Sequence, residues 1–105
     1  MIEVGEYVRV NGVIGKVEQI GNSLFWIEDG SSYSLSDKTV KHSKILSEVV
    51  EAGDYVNGKL IHKIDKGQNY CYLYYGNCKT FVDYQIKTIL TKEQYMQNCY
   101  KIDTN

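Results

Sequence analysis

Glu3-Val4-Gly5-Glu6-Tyr7-Val8, with Asn11-Gly12 close behind, returns as Glu51-Ala52-Gly53-Asp54-Tyr55-Val56 with Asn57-Gly58 attached. Recurrence at a fixed interval, with the turn residues in the same order, marks a duplicated structural unit. Past each Asn-Gly comes an apolar pair, then Lys16-Val17-Glu18 in one copy and Lys63-Ile64-Asp65 in the other. A polar turn follows (Gly21-Asn22; Gly67-Gln68-Asn69), and then an aromatic strand: Leu24-Phe25-Trp26-Ile27, or Tyr70-Cys71-Tyr72-Leu73-Tyr74-Tyr75. The alignment needs a short deletion and a one-residue insertion. Asn-Gly between apolar runs signals a two-residue hairpin, because both central residues must take positive φ.

Working outward, Tyr7 and Arg9 alternate with Val8 and Val10 as in a strand with one buried face. Gly15 within the next strand predicts a bulge or a close backbone approach. Asp29-Gly30 leads to a fourth strand near Ser32–Ser36. The pattern predicts a mostly β protein: two tandem small SH3-like β-barrel modules, residues 1–48 and 49–105, with a short linking helix or turn. Asp37–Val50 changes character, and Ile45, Leu46 and Val49 fall on one side of a short helix that Ser43 could N-cap. After Gln85–Leu90, Thr91-Lys92-Glu93-Gln94 reads as a capping box opening a helix near residues 92–98, with Leu90 and Tyr95 placed as a hydrophobic staple. Tyr100–Ile102 reads as a returning edge strand.

With 105 residues, 43% hydrophobic and 24% charged, the composition is that of a folded protein. Modules of roughly 45–50 residues lie near the lower limit for an adequate core, so the halves are expected to share a hydrophobic interface or the chain to form a homo-oligomer. Residues 1–50 hold five basic and seven acidic side chains, residues 51–105 seven and six. That balance argues against a strong phosphate-backbone binder. Three cysteines without a Cys-x-x-Cys pair indicate neither a disulfide framework nor zinc, and suit a reducing cytoplasm. The sequence is expected to carry no signal segment, and no long apolar run occurs within it.

In the second aromatic strand, period-two alternation sends Tyr70, Tyr72 and Tyr74 to one face and Cys71, Leu73 and Tyr75 to the other. The three phenols either pack against the other module or the C-terminal helix, or form a binding face. Trp26, in a continuous apolar run, reads as core. His42 and His62 have no metal-ligand spacing, Cys78 no positioned base, and Glu18 and Asp65 share a repeat position rather than a catalytic dyad. No phosphate-loop or nucleophile motif occurs. The chain reads as non-enzymatic, with no cofactor.

Gly12-Val13-Ile14-Gly15-Lys16-Val17, preceded by Gly5-Glu6-Tyr7-Val8, resembles the opening of KOW and related SH3-like modules, which often bind RNA or ribosomal and polymerase proteins. Val40–Lys44, Glu51–Gly58 and Ile86-Lys87-Thr88-Ile89-Leu90-Thr91-Lys92-Glu93-Gln94-Tyr95 through Ile102 resemble a family of small uncharacterised phage and prophage proteins of Gram-positive bacteria. The match spans residues 40–60 and 86–102, and the family's pattern names no catalytic residues. The resemblance implies expression in a bacterial cytoplasm and a host-directed role, such as inhibiting a CRISPR effector or another defence protein. On this reading the tyrosine face engages a host protein. The alternatives are a nucleotide-sequestering protein, with Tyr70, Tyr72 and Tyr74 stacking a base while Lys59, Lys63 or Arg9 neutralise phosphates, or an RNA- or DNA-binding module.

Overall fold

A computed structural model of the chain describes residues 1–99; the strand expected at Tyr100–Ile102 lies outside them. The first half consists of five antiparallel strands: β1 (Tyr7–Val10), β2 (Val13–Ile20), β3 (Leu24–Ile27), β4 (Ser32–Ser34) and β5 (Lys41–Ser43). They are ordered β4-β3-β2-β1-β5. The first part of β2 pairs with β1 and the second with β3, with a register shift between Val17 and Gln19. Gly15 marks the close approach and not the bulge: a Cβ there would lie 2.7 Å from Cδ1 of Ile27. Val8, Val10, Val17, Phe25 and Ile27 form the core. Strand β3 is buried on one face only, because Trp26 is half-buried and Leu24 exposed. Trp26, expected in the core, therefore lies outside it.

The segment between the halves holds the expected short helical turn, though as 3-10 and not α-helix, and Ser43 does not cap it. It contributes β5, which pairs with β1, and then one 3-10 turn, Leu46–Val49. Ser43 lies in β5, and its Oγ accepts the Ile45 amide at 3.0 Å. The second half comprises β6 (Tyr55–Val56), β7 (Lys59–Leu60), β8 (Lys63–Lys66), β9 (Cys71–Gly76), β10 (Lys79–Phe81), a 3-10 turn (Asp83–Gln85), β11 (Ile89–Leu90) and helix α1 (Lys92–Asn98). Its strands form two sheets, β10-β9-β8 and β11-β6-β7. Since β7 runs into β8 through Ile61-His62, this path repeats the order of the first half. A separate core forms from Val50, Val56, Ile61, Cys71 and Leu73. Thr91 and Gln94 make the expected capping box: Thr91 Oγ1 accepts the Gln94 amide at 3.1 Å, and Gln94 Oε1 accepts the Thr91 amide at 3.0 Å. Tyr95 stacks on Tyr55, with ring centroids 5.0 Å apart.

The repeat extends to single hydrogen bonds. Asn11 and Gly12 have φ of 51° and 76°, Asn57 and Gly58 53° and 79°, as a two-residue hairpin turn requires. The Gly5 amide donates to Val17 O, and the Val17 amide to Glu6 O; the Gly53 amide donates to Ile61 O, and the Ile61 amide to Asp54 O. Val17 therefore corresponds to Ile61, and the expected match of Lys16-Val17-Glu18 with Lys63-Ile64-Asp65 is displaced by three residues. The cause is hairpin length. Four residue pairs join β1 to β2 but only two join β6 to β7. Arg9 and Val10 belong to the part that the second copy lacks.

The sheets are open, with β4 and β5 as unpaired edges of the first, so the closed barrels expected from the sequence do not form. Nor do the halves share one apolar core. The longer hairpin of the first half reaches the second and joins it through polar groups. Arg9 is 5% exposed and donates from Nη1 to Asp54 Oδ2 at 2.6 Å and from Nη2 to Asp54 Oδ1 at 2.9 Å and Glu93 Oε1 at 3.0 Å. Its Nε lies 3.5 Å from Glu51 Oε2. Thr91 Oγ1 donates to the carbonyl of Gly12 at 2.5 Å. A guanidinium saturated by carboxylates tolerates burial that a lone cation would not.

Burial pushes the Glu51 carboxyl up, but Lys92, Arg9 and Lys41 outweigh it and hold its pKa down at about 2. A depressed carboxylate stabilises the fold above its ordinary pKa, and that stability is lost as pH falls through the folded value. Urea midpoints should therefore drop as pH falls from about 4.5 towards 2. For a side chain 31% exposed the share due to Glu51 is on the order of 1–2 kcal/mol after allowing for solvent screening. Glu51→Gln should flatten the curve in that window; an unchanged slope would remove Glu51 from the seam's energetics.

Candidate functional site

Strand β9 places its side chains as strict alternation demands. Cys71 and Leu73 enter the core, while Tyr72 is 38% and Tyr70, just before the strand, 47% exposed. The rings of Tyr70 and Tyr72 stack with centroids 5.3 Å apart and planes 27° from parallel. The turn before β9 holds Tyr70 in place. The Gly67 amide donates to the Tyr70 carbonyl at 3.0 Å, and a Cβ on Gly67 would clash with the edge of the Tyr70 ring. Glycine is needed there for the ring to lie down on the backbone.

The opposite wall comes from the two 3-10 turns. The Ser47 amide donates to Asp83 Oδ1 at 2.7 Å, the Cys71 thiol to the Ser47 carbonyl at 3.6 Å, and the Val82 amide to Gln85 Oε1 at 2.9 Å. These bonds fix Ile45, 47% exposed, and Tyr84, 81% exposed, beside the tyrosine pair. Between the walls lies a cleft of about 650 Å³. Its charged lining residues are Glu48 and Asp83; no Lys, Arg or His of the described residues lines it. Asp65 sits opposite Tyr72 across the β8–β9 ladder, so it shares the sheet face of Tyr72 beside the cleft.

The six side chains expected to form a site divide among four places. Tyr70 and Tyr72 line the cleft. Tyr74 is half-buried further along the ladder, opposite Lys63, whose Nζ lies 5.4 Å from its ring centroid. Lys59 belongs to the other sheet, on β7. Arg9 is enclosed by Asp54, Glu93 and Glu51 in the seam. That enclosure corrects its expected role as an exposed phosphate ligand; the arginine, Lys59 and the tyrosine pair do not converge. The tyrosine face is not packed between the modules.

Four residues of the cleft escape the sequence pattern: Ile45, Glu48, Asp83 and Tyr84. Glu48, Asp83 and Tyr84 lie on 3-10 turns and Ile45 immediately before the first, where neither period 2 nor period 3.6 applies. His42 Nδ1 lies 3.1 Å from Glu6 Oε1. Burial raises the Glu6 carboxyl, but the Glu3 amide and His42 outweigh it and leave its pKa below the usual value. Cys78 occupies the β9–β10 turn at φ 59°, exposed. Among the described residues no group of three or more His, Cys, Asp or Glu could hold a metal ion, and no helix is long and apolar enough to cross a membrane. No protein-family model, curated protein or solved structure matches the chain.

Proposed function

We propose that the protein is a binding protein that captures a protein partner in the cleft formed by Tyr70, Tyr72, Tyr84 and Ile45. One observation carries the reading: three aromatic rings and an isoleucine, each more than a third exposed, line a single cleft. Tyrosine gives large contact area at low entropic cost, which makes it the residue of recognition surfaces. Buried tyrosine OH groups would instead need internal partners. The resemblance to phage proteins supports a narrower form, in which the partner is a host defence protein, a CRISPR effector being one example.

Nucleotide capture and nucleic-acid binding fit less well. Phosphate placed in the cleft would meet Glu48 and Asp83, and like charges repel at short range. Lys63 is engaged with Tyr74 and Arg9 with its three carboxylates.

The test is capture from a bacterial host lysate by the native chain and by Tyr70→Ala/Tyr72→Ala, with mass spectrometry of bound proteins and small molecules. Circular dichroism should report the same fold for both, since neither ring is part of the core. A protein retained by the native chain and lost from the variant is expected. Equal capture by both would remove the proposal, and recovery of a nucleotide in place of a protein would transfer the cleft to the sequestering alternative.

A further inference from the structure

Resting on that reading, we infer that the cleft is built for an arginine-bearing segment of the partner, whose guanidinium stacks on the Tyr70–Tyr72 pair and faces Glu48 and Asp83. The molecule supplies its own comparison. Along one sheet face, Tyr74 already carries a cation, Lys63 Nζ, at 5.4 Å from its centroid. Tyr70 and Tyr72 have no cation over their rings among the described residues, yet carboxylates flank them: Asp65 across the ladder from Tyr72, Glu48 and Asp83 on the cleft wall.

An aromatic face attracts cations through its quadrupole, and a nearby carboxylate adds to the attraction while opposing anions. Glu48 and Asp83 keep acceptor capacity. Glu48 Oε1 takes the Ser43 hydroxyl and Asp83 Oδ1 the Ser47 amide, so each retains its second oxygen. Between the two cationic side chains, geometry favours arginine. A planar guanidinium can stack on a ring and donate in its plane to a carboxylate at once, whereas an ammonium acts as a strongly hydrated point charge. Ile45 and Val82 supply apolar lining for the methylene stem, which lies along apolar surface while the head stays polar.

The probe is a synthetic Gly-Arg-Gly-Arg-Gly peptide, with the citrulline peptide as its neutral isostere, titrated into the full chain by NMR. Amide shifts should concentrate at residues 45–48, 68–72 and 82–84, and the citrulline peptide should bind at least about fivefold more weakly. Glu48→Gln/Asp83→Asn keeps an acceptor oxygen for the Ser43 hydroxyl and the Ser47 amide, and should reduce arginine-peptide affinity by a similar factor. Equal binding of the two peptides, or of one peptide to both proteins, would overturn the inference. The double charge variant also separates it from the parent reading. If that variant still captures the protein partner that Tyr70→Ala/Tyr72→Ala loses, the cleft binds protein but does not read a cation.

Discussion

Asp54→Ala is expected to destabilise the protein by about 3–5 kcal/mol, because it breaks a buried charge pair from one side. Asp54 is fully buried. Its two oxygens receive both Arg9 bonds and also the amides of Glu51 at 2.8 Å and Lys92 at 2.9 Å. Truncation removes an acceptor from the first turn of α1, from the start of the second repeat and from the cation that joins the halves. For a domain of this size that corresponds to a fall in Tm of roughly 15–30 °C. Glu6 holds the same place in the first repeat, accepting the Glu3 amide at 2.7 Å, but its other partner, His42, belongs to its own half. Glu6→Ala should therefore cost only about 1–2 kcal/mol. Arg9→Met added to Asp54→Ala should lose clearly less than the sum of the single changes, since part of the Asp54→Ala penalty is the unpaired arginine it leaves. Strict additivity in urea unfolding would show that Arg9 and Asp54 are not coupled, and the seam would need another explanation.

The contrast between Asp54 and Glu6 shows what a linear sequence conveys and what it conceals. Turn chemistry is local: Asn-Gly requires left-handed backbone wherever it occurs, so both hairpins were readable, as was the capping box at Thr91 and Gln94. Alternation in β9 is equally local, and it put the three phenols on one side correctly. The strand match beyond the hairpins was not readable, because shortening a hairpin by two residue pairs leaves an apolar residue facing inward in either register. Lys63-Ile64-Asp65 imitates Lys16-Val17-Glu18 in residue type, while the backbone bonds assign Ile61 to the place of Val17. Sheet closure depends on edges meeting in space, and no pattern along one strand reports it. Arg9 looked like a surface cation because its partners lie 45 and 84 residues away. The cleft was half visible: its tyrosine wall follows from period 2, while the wall of Ile45, Glu48, Asp83 and Tyr84 rests on turns pinned together by a single Ser47–Asp83 bond.

The two Asn-Gly turns allow that seam to be tested with the repeat as its own control. Gly12 and Gly58 share nearly the same backbone, at φ 76° and 79°, so alanine at either position pays a similar strain for the left-handed conformation, about 1 kcal/mol. Their surroundings differ. A Cβ on Gly58 would meet nothing within 4 Å, whereas one on Gly12 would lie 2.5 Å from Cβ of Glu93 and 3.0 Å from its Cγ. A Cβ cannot swing aside as a side-chain tip can, so relief requires the hairpin to lift from α1. Lifting it stretches the Thr91–Gly12 bond and draws Arg9 from Glu93. Gly12→Ala is accordingly expected to cost about 2–4 kcal/mol, the added part being overpacking and lost polar contacts, against about 1 kcal/mol for Gly58→Ala. Guanidinium unfolding of the two variants measures the difference directly, and hydrogen exchange at the first turn of α1 should quicken in the first variant only. Equal losses from the two glycines would mean that the hairpin tip carries no weight against the helix, and that the halves are held together elsewhere.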